Sequence, residues 1–104
     1  MQGVRNFAID GDVTLHAYEW EGAGRPMLLV HGLASNARMW DGVAEELSAR
    51  GHRVVAVDLR GHGQSTKPSV GYDFTTITDD LLAVVSSMGG EKPVVAGQSR
   101  RRRR

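Results

Sequence analysis

The chain has 104 residues, enough for one domain, and contains no cysteine, which excludes disulfides and thiolate metal sites. Hydrophobic residues make up 40% and charged residues 24%, as in an ordinary soluble domain; no apolar run approaches the length of a membrane span and Met1–Asp10 lacks an apolar leader core, so a cytoplasmic location is expected. The formal net charge of +1 hides an asymmetry: Arg100–Arg104 hold five of the thirteen basic residues, leaving eight basic against twelve acidic residues, a net −4, in residues 1–99.

Val4–Ile9 and Val13–Trp20 flank Asp10-Gly11, a pair that predicts a hairpin with a type I′ turn. Val13, Leu15 and Ala17 alternate with Thr14, His16 and Tyr18, the pattern of a half-buried antiparallel strand. Glu21–Arg25 reads as a loop. Three short continuous apolar runs follow: Met27–Val30, Val54–Val57 and Val94–Ala96. Runs of this kind suit strands covered on both faces, as in a parallel sheet.

Two helices are predicted between the runs. Trp40, Val43, Ala44 and Leu47 form one apolar stripe, with Gly51 as its stop. Ile77, Leu81, Val84, Val85 and Met88 form a second stripe, with a capping start at Thr76–Asp79 and a stop at Gly89-Gly90. The order is a β-hairpin and then β-α-β-α-β, which predicts an α/β fold with a mostly parallel sheet that begins antiparallel. In such sheets the chemistry sits at the carboxyl ends of the strands.

Each apolar strand is followed by a candidate motif. His31-Gly32-Leu33 follows the first, and Asp58-Leu59-Arg60-Gly61-His62-Gly63-Gln64-Ser65 follows the second. The latter lacks the Gly-Lys-Ser/Thr ending of a P-loop. Gly97-Gln98-Ser99 follows the third, and a serine on a sharp strand-to-helix turn is presented as a nucleophile. No metal-ligand constellation and no cofactor loop appears.

Taken together, these motifs resemble the α/β-hydrolase family over roughly residues 5–99, in the correct order. The fifth position of the Gly-x-Ser-x-Gly elbow is Arg101, so only its first half is present. The resemblance implies a serine hydrolase acting on an ester or related acyl substrate without a cofactor. It implies Ser99 as nucleophile, the backbone N–H of Leu33 as one oxyanion donor and Arg100 at the position of the second. His31, Gly32, Gly97, Gln98, Arg60, Gly61, His62 and Gly63 fall at loop-shaping positions. A serine here also argues against relatives that use aspartate, the haloalkane dehalogenases and epoxide hydrolases.

In this family the acid and the histidine follow the nucleophile in chain order, whereas only five arginines follow Ser99 here. Residues 1–99 are therefore expected to be a partial domain truncated at the elbow, inactive as the chain stands, with 100–104 a tail of the kind a frameshift produces. The strand ending at Ala96 is expected at an open edge. His16, His31, His52 and His62 read as structural, Asp58, Asp79 and Asp80 as loop and helix-start residues, and Ser65 as a turn hydroxyl. Trp40 and Met88 read as core. The expected partner is a small-molecule substrate, with no specific nucleic acid and no membrane; the oligomeric state is open. An alternative is a non-catalytic binder whose arginines contact phosphates of nucleic acid or anionic lipid, weakly and without sequence preference.

Overall fold

The computed structural model describes residues 2–98; Ser99 and Arg100–Arg104 lie outside the described residues. Five strands form one sheet in the order β1-β2-β4-β3-β5. They are β1 (Gln2–Asp10), β2 (Val13–Trp20), β3 (Gly24–Val30), β4 (His52–Val57) and β5 (Val94–Gly97). A 3-10 turn, Ala37–Trp40, leads into α1 (Asp41–Ala49), and α2 is Phe74–Met88. The sheet is antiparallel from β1 through β2 to β4, and parallel between β3 and each of its neighbours β4 and β5.

The period of two along the strands divides the core. Leu28, Val55 and Val57 face the side packed by Val84 and Met88 of α2, together with Phe7, Leu15 and Ala17. Leu29, Val54 and Ala56 face the other side, with Ala37, Ala44 and Trp20. The two helices therefore cover opposite faces of the sheet. β3 and β4 are buried on both faces, which is why they read as continuous apolar runs rather than alternating ones. At β5 the two valines remain accessible, Val94 at 43% and Val95 at 55%, and among the described residues the strand pairs with β3 alone.

The accessible valines of β5 depart from the coverage on both faces expected of its apolar run, and other elements depart from expectation as well. The hairpin register shifts between Ala8 and Asp10, and Gly11 but not Asp12 takes positive φ, so the turn is bulged rather than type I′. β3 starts at Gly24, inside the expected loop, where the Gly24 amide donates to Gly51 O at 2.8 Å. Val43 is 47% exposed, because the 3-10 turn offsets Trp40 from the α1 stripe and leaves Ala44 and Leu47 to pack on the sheet. α2 starts at Phe74, before the expected start at Thr76, since Asp73 is its cap: the carboxylate accepts from Thr76 N at 3.0 Å and from Thr76 Oγ1 at 2.8 Å. Those bonds, the hydroxyl one first, hold the Asp73 carboxyl below its ordinary pKa.

Two substitutions should rank by mechanism. Leu28→Ala removes a side chain with 0% exposure between α2 and the sheet and is expected to cost about 2–5 kcal/mol. Asp73→Ala removes a cap, with an expected cost of about 1 kcal/mol. Urea midpoints with unchanged slopes check both values; equal losses would contradict the packing described.

Candidate active site

Val30 of β3 pairs with Val57 of β4 and with Gly97 of β5, so three parallel strands end on one row. His31, Asp58 and Gln98 are the next residues of the three strands. The three motifs are thus brought side by side by the register of the sheet, before any side chain is considered.

Asp58 is the hub of this end of the sheet. It is 1% exposed. A buried carboxylate must find donors. Its Oδ1 accepts from Ala37 N at 2.7 Å, which fixes the start of the 3-10 turn, and its Oδ2 accepts from Gln64 N at 3.1 Å. His16 Nδ1 of β2 lies 3.4 Å from Oδ2. The backbone of Asp58 is tied as well: its N–H donates to His16 O at 2.9 Å, and its carbonyl accepts from Ser65 Oγ at 2.6 Å. Ser65 Oγ in turn accepts from His16 N at 2.8 Å. Gly63 has φ +52, and a Cβ there would collide with the Asp58 carboxylate. The glycine is required by both conformation and space.

His31 and His62 bind the first two loops to each other. The Leu59 amide donates to His31 Nε2 at 3.0 Å, so the proton of the neutral ring sits on Nδ1, which donates to Gly32 O at 2.7 Å. In return the Ala34 amide donates to His62 Nε2 at 3.3 Å, and His62 Nδ1 donates to Arg60 O at 3.0 Å. The rings lie 5.0 Å apart. Burial, chiefly, pushes the His31 pKa below 6.5 and keeps the ring neutral.

Arg60 is held by Asp80 in a two-pronged pair, Nε to Oδ2 at 2.7 Å and Nη2 to Oδ1 at 2.8 Å, with both residues buried. Asp80 is therefore no helix-start residue. It lies well inside α2 and anchors the loop after β4, and its carboxylate, the largest influence, raises the Arg60 pKa. The ring of Tyr72 covers Gly61, and its hydroxyl donates to Pro68 O at 2.6 Å.

Gln98 joins the third strand end to the first. Its N–H donates to Val30 O at 3.0 Å, and its Oε1 accepts from Gly32 N at 3.0 Å. Three consecutive amides now have distinct fates. Gly32 N–H is held by Gln98 and Ala34 N–H by His62, while Leu33 N–H between them has no acceptor among the described residues. Ala34 holds this turn at φ +64, the one non-glycine positive φ among the described residues.

Beside these amides lies an open cleft of about 440 Å³. Its polar rim is His31, Gly32 and Gln98; its apolar wall is Leu33, Leu59, Tyr72, Phe74 and Ile77. A larger concavity, about 540 Å³, lies at the opposite end of the sheet beside Gln2, Glu19 and Glu21. Glu19 there is already engaged by Arg53 at 2.7 Å, and that concavity contains no nucleophile. Among the described residues no cluster of three metal-ligating side chains occurs, and no helix is long and apolar enough to cross a membrane.

The structure thus gathers His31, Gly32, Leu33, Arg60, Gly61, His62, Gly63, Gly97 and Gln98 at one end of the sheet. Ser99 and Arg100, the expected nucleophile and second oxyanion position, lie outside the described residues. His52 is remote, its Nδ1 3.0 Å from Arg25 O. Three roles escaped the sequence reading: Asp58 as hub, Asp80 as partner of Arg60, and the Tyr72–Phe74 wall. Two aromatics beside the α2 cap are the signal from which the wall was readable.

Residues 25–100 match the α/β-hydrolase fold family. The chain is 44% identical over 78 residues to the AB hydrolase superfamily protein YisY of Bacillus subtilis, covering 75% of this chain and 29% of that one. It is 38% identical over 82 residues to a putative non-heme chloroperoxidase of Synechocystis, covering 79% and 30%. Among solved structures, epoxide hydrolase VrEH1 from Vigna radiata superposes with a TM-score of 0.87 at 28% identity, covering 94% of this chain and 30% of that one. The chain spans less than a third of the length of these relatives.

The neutral state of His31 gives a pH dependence with a definite sign. Its folded pKa lies below the unfolded value of 6.5, so the unfolded chain binds the proton first and stability falls as pH drops from 6.5 through the folded pKa. His31→Gln should flatten this part of the curve. Urea midpoints at a series of pH values check it; an unchanged acid slope in the variant would contradict the assignment.

Proposed function

The chain belongs to the α/β-hydrolase fold family, and on that premise we propose that it carries the nucleophile and first oxyanion donor of a serine hydrolase acting on an ester or related acyl substrate. Members of this fold family differ in chemistry, so the residues of the site and not the fold decide the reaction. The observation that carries the reading is the Leu33 amide: a donor without an acceptor among the described residues, on a residue lining a cleft whose polar rim includes Gln98, which immediately precedes Ser99 in the chain. A serine at this position supports acyl transfer over the aspartate-dependent chemistries of the family.

In this reading the substrate carbonyl enters the cleft with its apolar part against Leu59, Tyr72, Phe74 and Ile77. Ser99 Oγ attacks the carbonyl carbon and passes its proton to a general base. The oxygen that gains charge accepts from Leu33 N–H and from the amide of Arg100. Collapse expels the alcohol and leaves an acyl-serine, which water hydrolyses.

The base is not found among the described histidines of the site. His31 and His62 have both ring nitrogens committed to backbone groups, and His16 sits against Asp58. Turnover by the 104-residue chain is therefore expected to be low, because an unactivated serine is a weak nucleophile. The substrate is expected to be a small molecule, with no cofactor.

A fluorophosphonate probe tests this. Peptide mass spectrometry is expected to find Ser99 modified slowly, over hours, with Ser65 untouched and no modification in Ser99→Ala. Labelling within minutes would reveal an active base and overturn the expectation of low turnover. Labelling elsewhere, with Ser99 unmodified, would overturn its role as nucleophile.

A further inference from the structure

The turn that carries the Leu33 amide is held on both sides by side chains from other loops. The amides of Gly32 and Ala34 on either side of it are each held by a side chain, Gln98 Oε1 at 3.0 Å and His62 Nε2 at 3.3 Å. Ala34 sits at φ +64, a region that alanine enters only when its surroundings impose it. Among the described residues, the acceptor of its N–H is His62.

His62 is itself held in the state this needs. Its Nδ1 donates to Arg60 O at 3.0 Å, which leaves the Nε2 lone pair for Ala34. Arg60 cannot drift, because Asp80 grips its guanidinium at 2.7 and 2.8 Å from within α2. A continuous chain of contacts thus runs from α2 to the loop after β3: Asp80, Arg60, His62, Ala34.

We infer that His62 is a positioning residue: by accepting from the Ala34 amide its Nε2 fixes Ala34 in the left-handed conformation and so holds the turn that carries the preceding Leu33 N–H beside the cleft. The inference rests on the proposed oxyanion role of Leu33 for its catalytic meaning, but the coupling of His62 to Ala34 stands on geometry alone. It also separates His62 from a general-base role, since the nitrogen a base would use already accepts from the backbone.

The test is a rescue. In His62→Ala the Ala34 amide loses its acceptor, and its hydrogen exchange, read by NMR, should accelerate at least about tenfold while the Leu29 and Val55 amides of the core keep their protection. Ser99 labelling by fluorophosphonate should slow by about tenfold or more, the size expected when a donor is misplaced. Adding Ala34→Gly supplies a residue that enters positive φ without help. The double variant should regain the labelling rate of Ala34→Gly alone, although the amide at position 34 still exchanges fast.

No rescue by glycine, or unchanged exchange of Ala34 in His62→Ala, would overturn the inference. In the unaltered protein the His62 ring should carry its proton on Nδ1 by nitrogen NMR; a proton on Nε2 overturns the inference even if His62→Ala does not fold. If exchange and tautomer agree but Ser99 is never labelled, the serine hydrolase reading fails and the positioning role of His62 stands.

Discussion

A carboxylate buried at the end of β4 organises the loops at this end of the sheet. Asp58 is buried at the top of the sheet, so its carboxylate oxygens must be met by donors. Backbone amides from either side meet them: Ala37 from the chain after β3 and Gln64 from the loop after β4. The cost of an unsatisfied buried charge thus becomes a constraint on the path of two loops. Gly63 is compelled by the same carboxylate, and Ser65 by the carbonyl and amide it bridges.

The site is consequently made of main chain more than of side chains. His31 and His62 spend their ring nitrogens, and Gln98 its side-chain oxygen, on backbone amides and carbonyls, while the Leu33 N–H between the held amides has no acceptor among the described residues. For the proposed reaction, a donor fixed in this way needs no reorganisation when charge develops nearby. The apolar wall formed by Leu59, Tyr72, Phe74 and Ile77 supplies the low-polarity side of the same arrangement.

The sheet and its strand-end motifs were legible because their signals are local. Short apolar runs mark three strands, and His31-Gly32, Asp58–Ser65 and Gly97-Gln98 each sit immediately after one; β3 and β4 are covered on both faces as such runs suggest, whereas β5 keeps its valines accessible. What was not legible depends on contacts between distant residues. Asp80 looks like any acid near a helix start, and nothing local distinguishes it from Asp79; only the packing of α2 against the loop after β4 selects it as the partner of Arg60. The positive φ of Ala34 is similarly silent, since alanine carries no mark of a left-handed turn. Val43 fitted the helical period but missed the core, because a 3-10 turn shifts the phase of the stripe in a way that counting by 3.6 does not anticipate.

The strand order has a consequence for the time course of folding. β1 and β2 meet across a two-residue turn, whereas β5 reaches β3 only after the chain has passed through α2. The bond from Gly32 N to Gln98 Oε1 closes a separation of 66 residues. Closing so long a segment costs chain entropy that no local contact offsets, so this pairing belongs to the slow, late part of assembly. The polar rim of the cleft is closed by that same bond. The hairpin can therefore form early, while the concave surface where chemistry would occur exists only once the most distant parts of the chain have found each other.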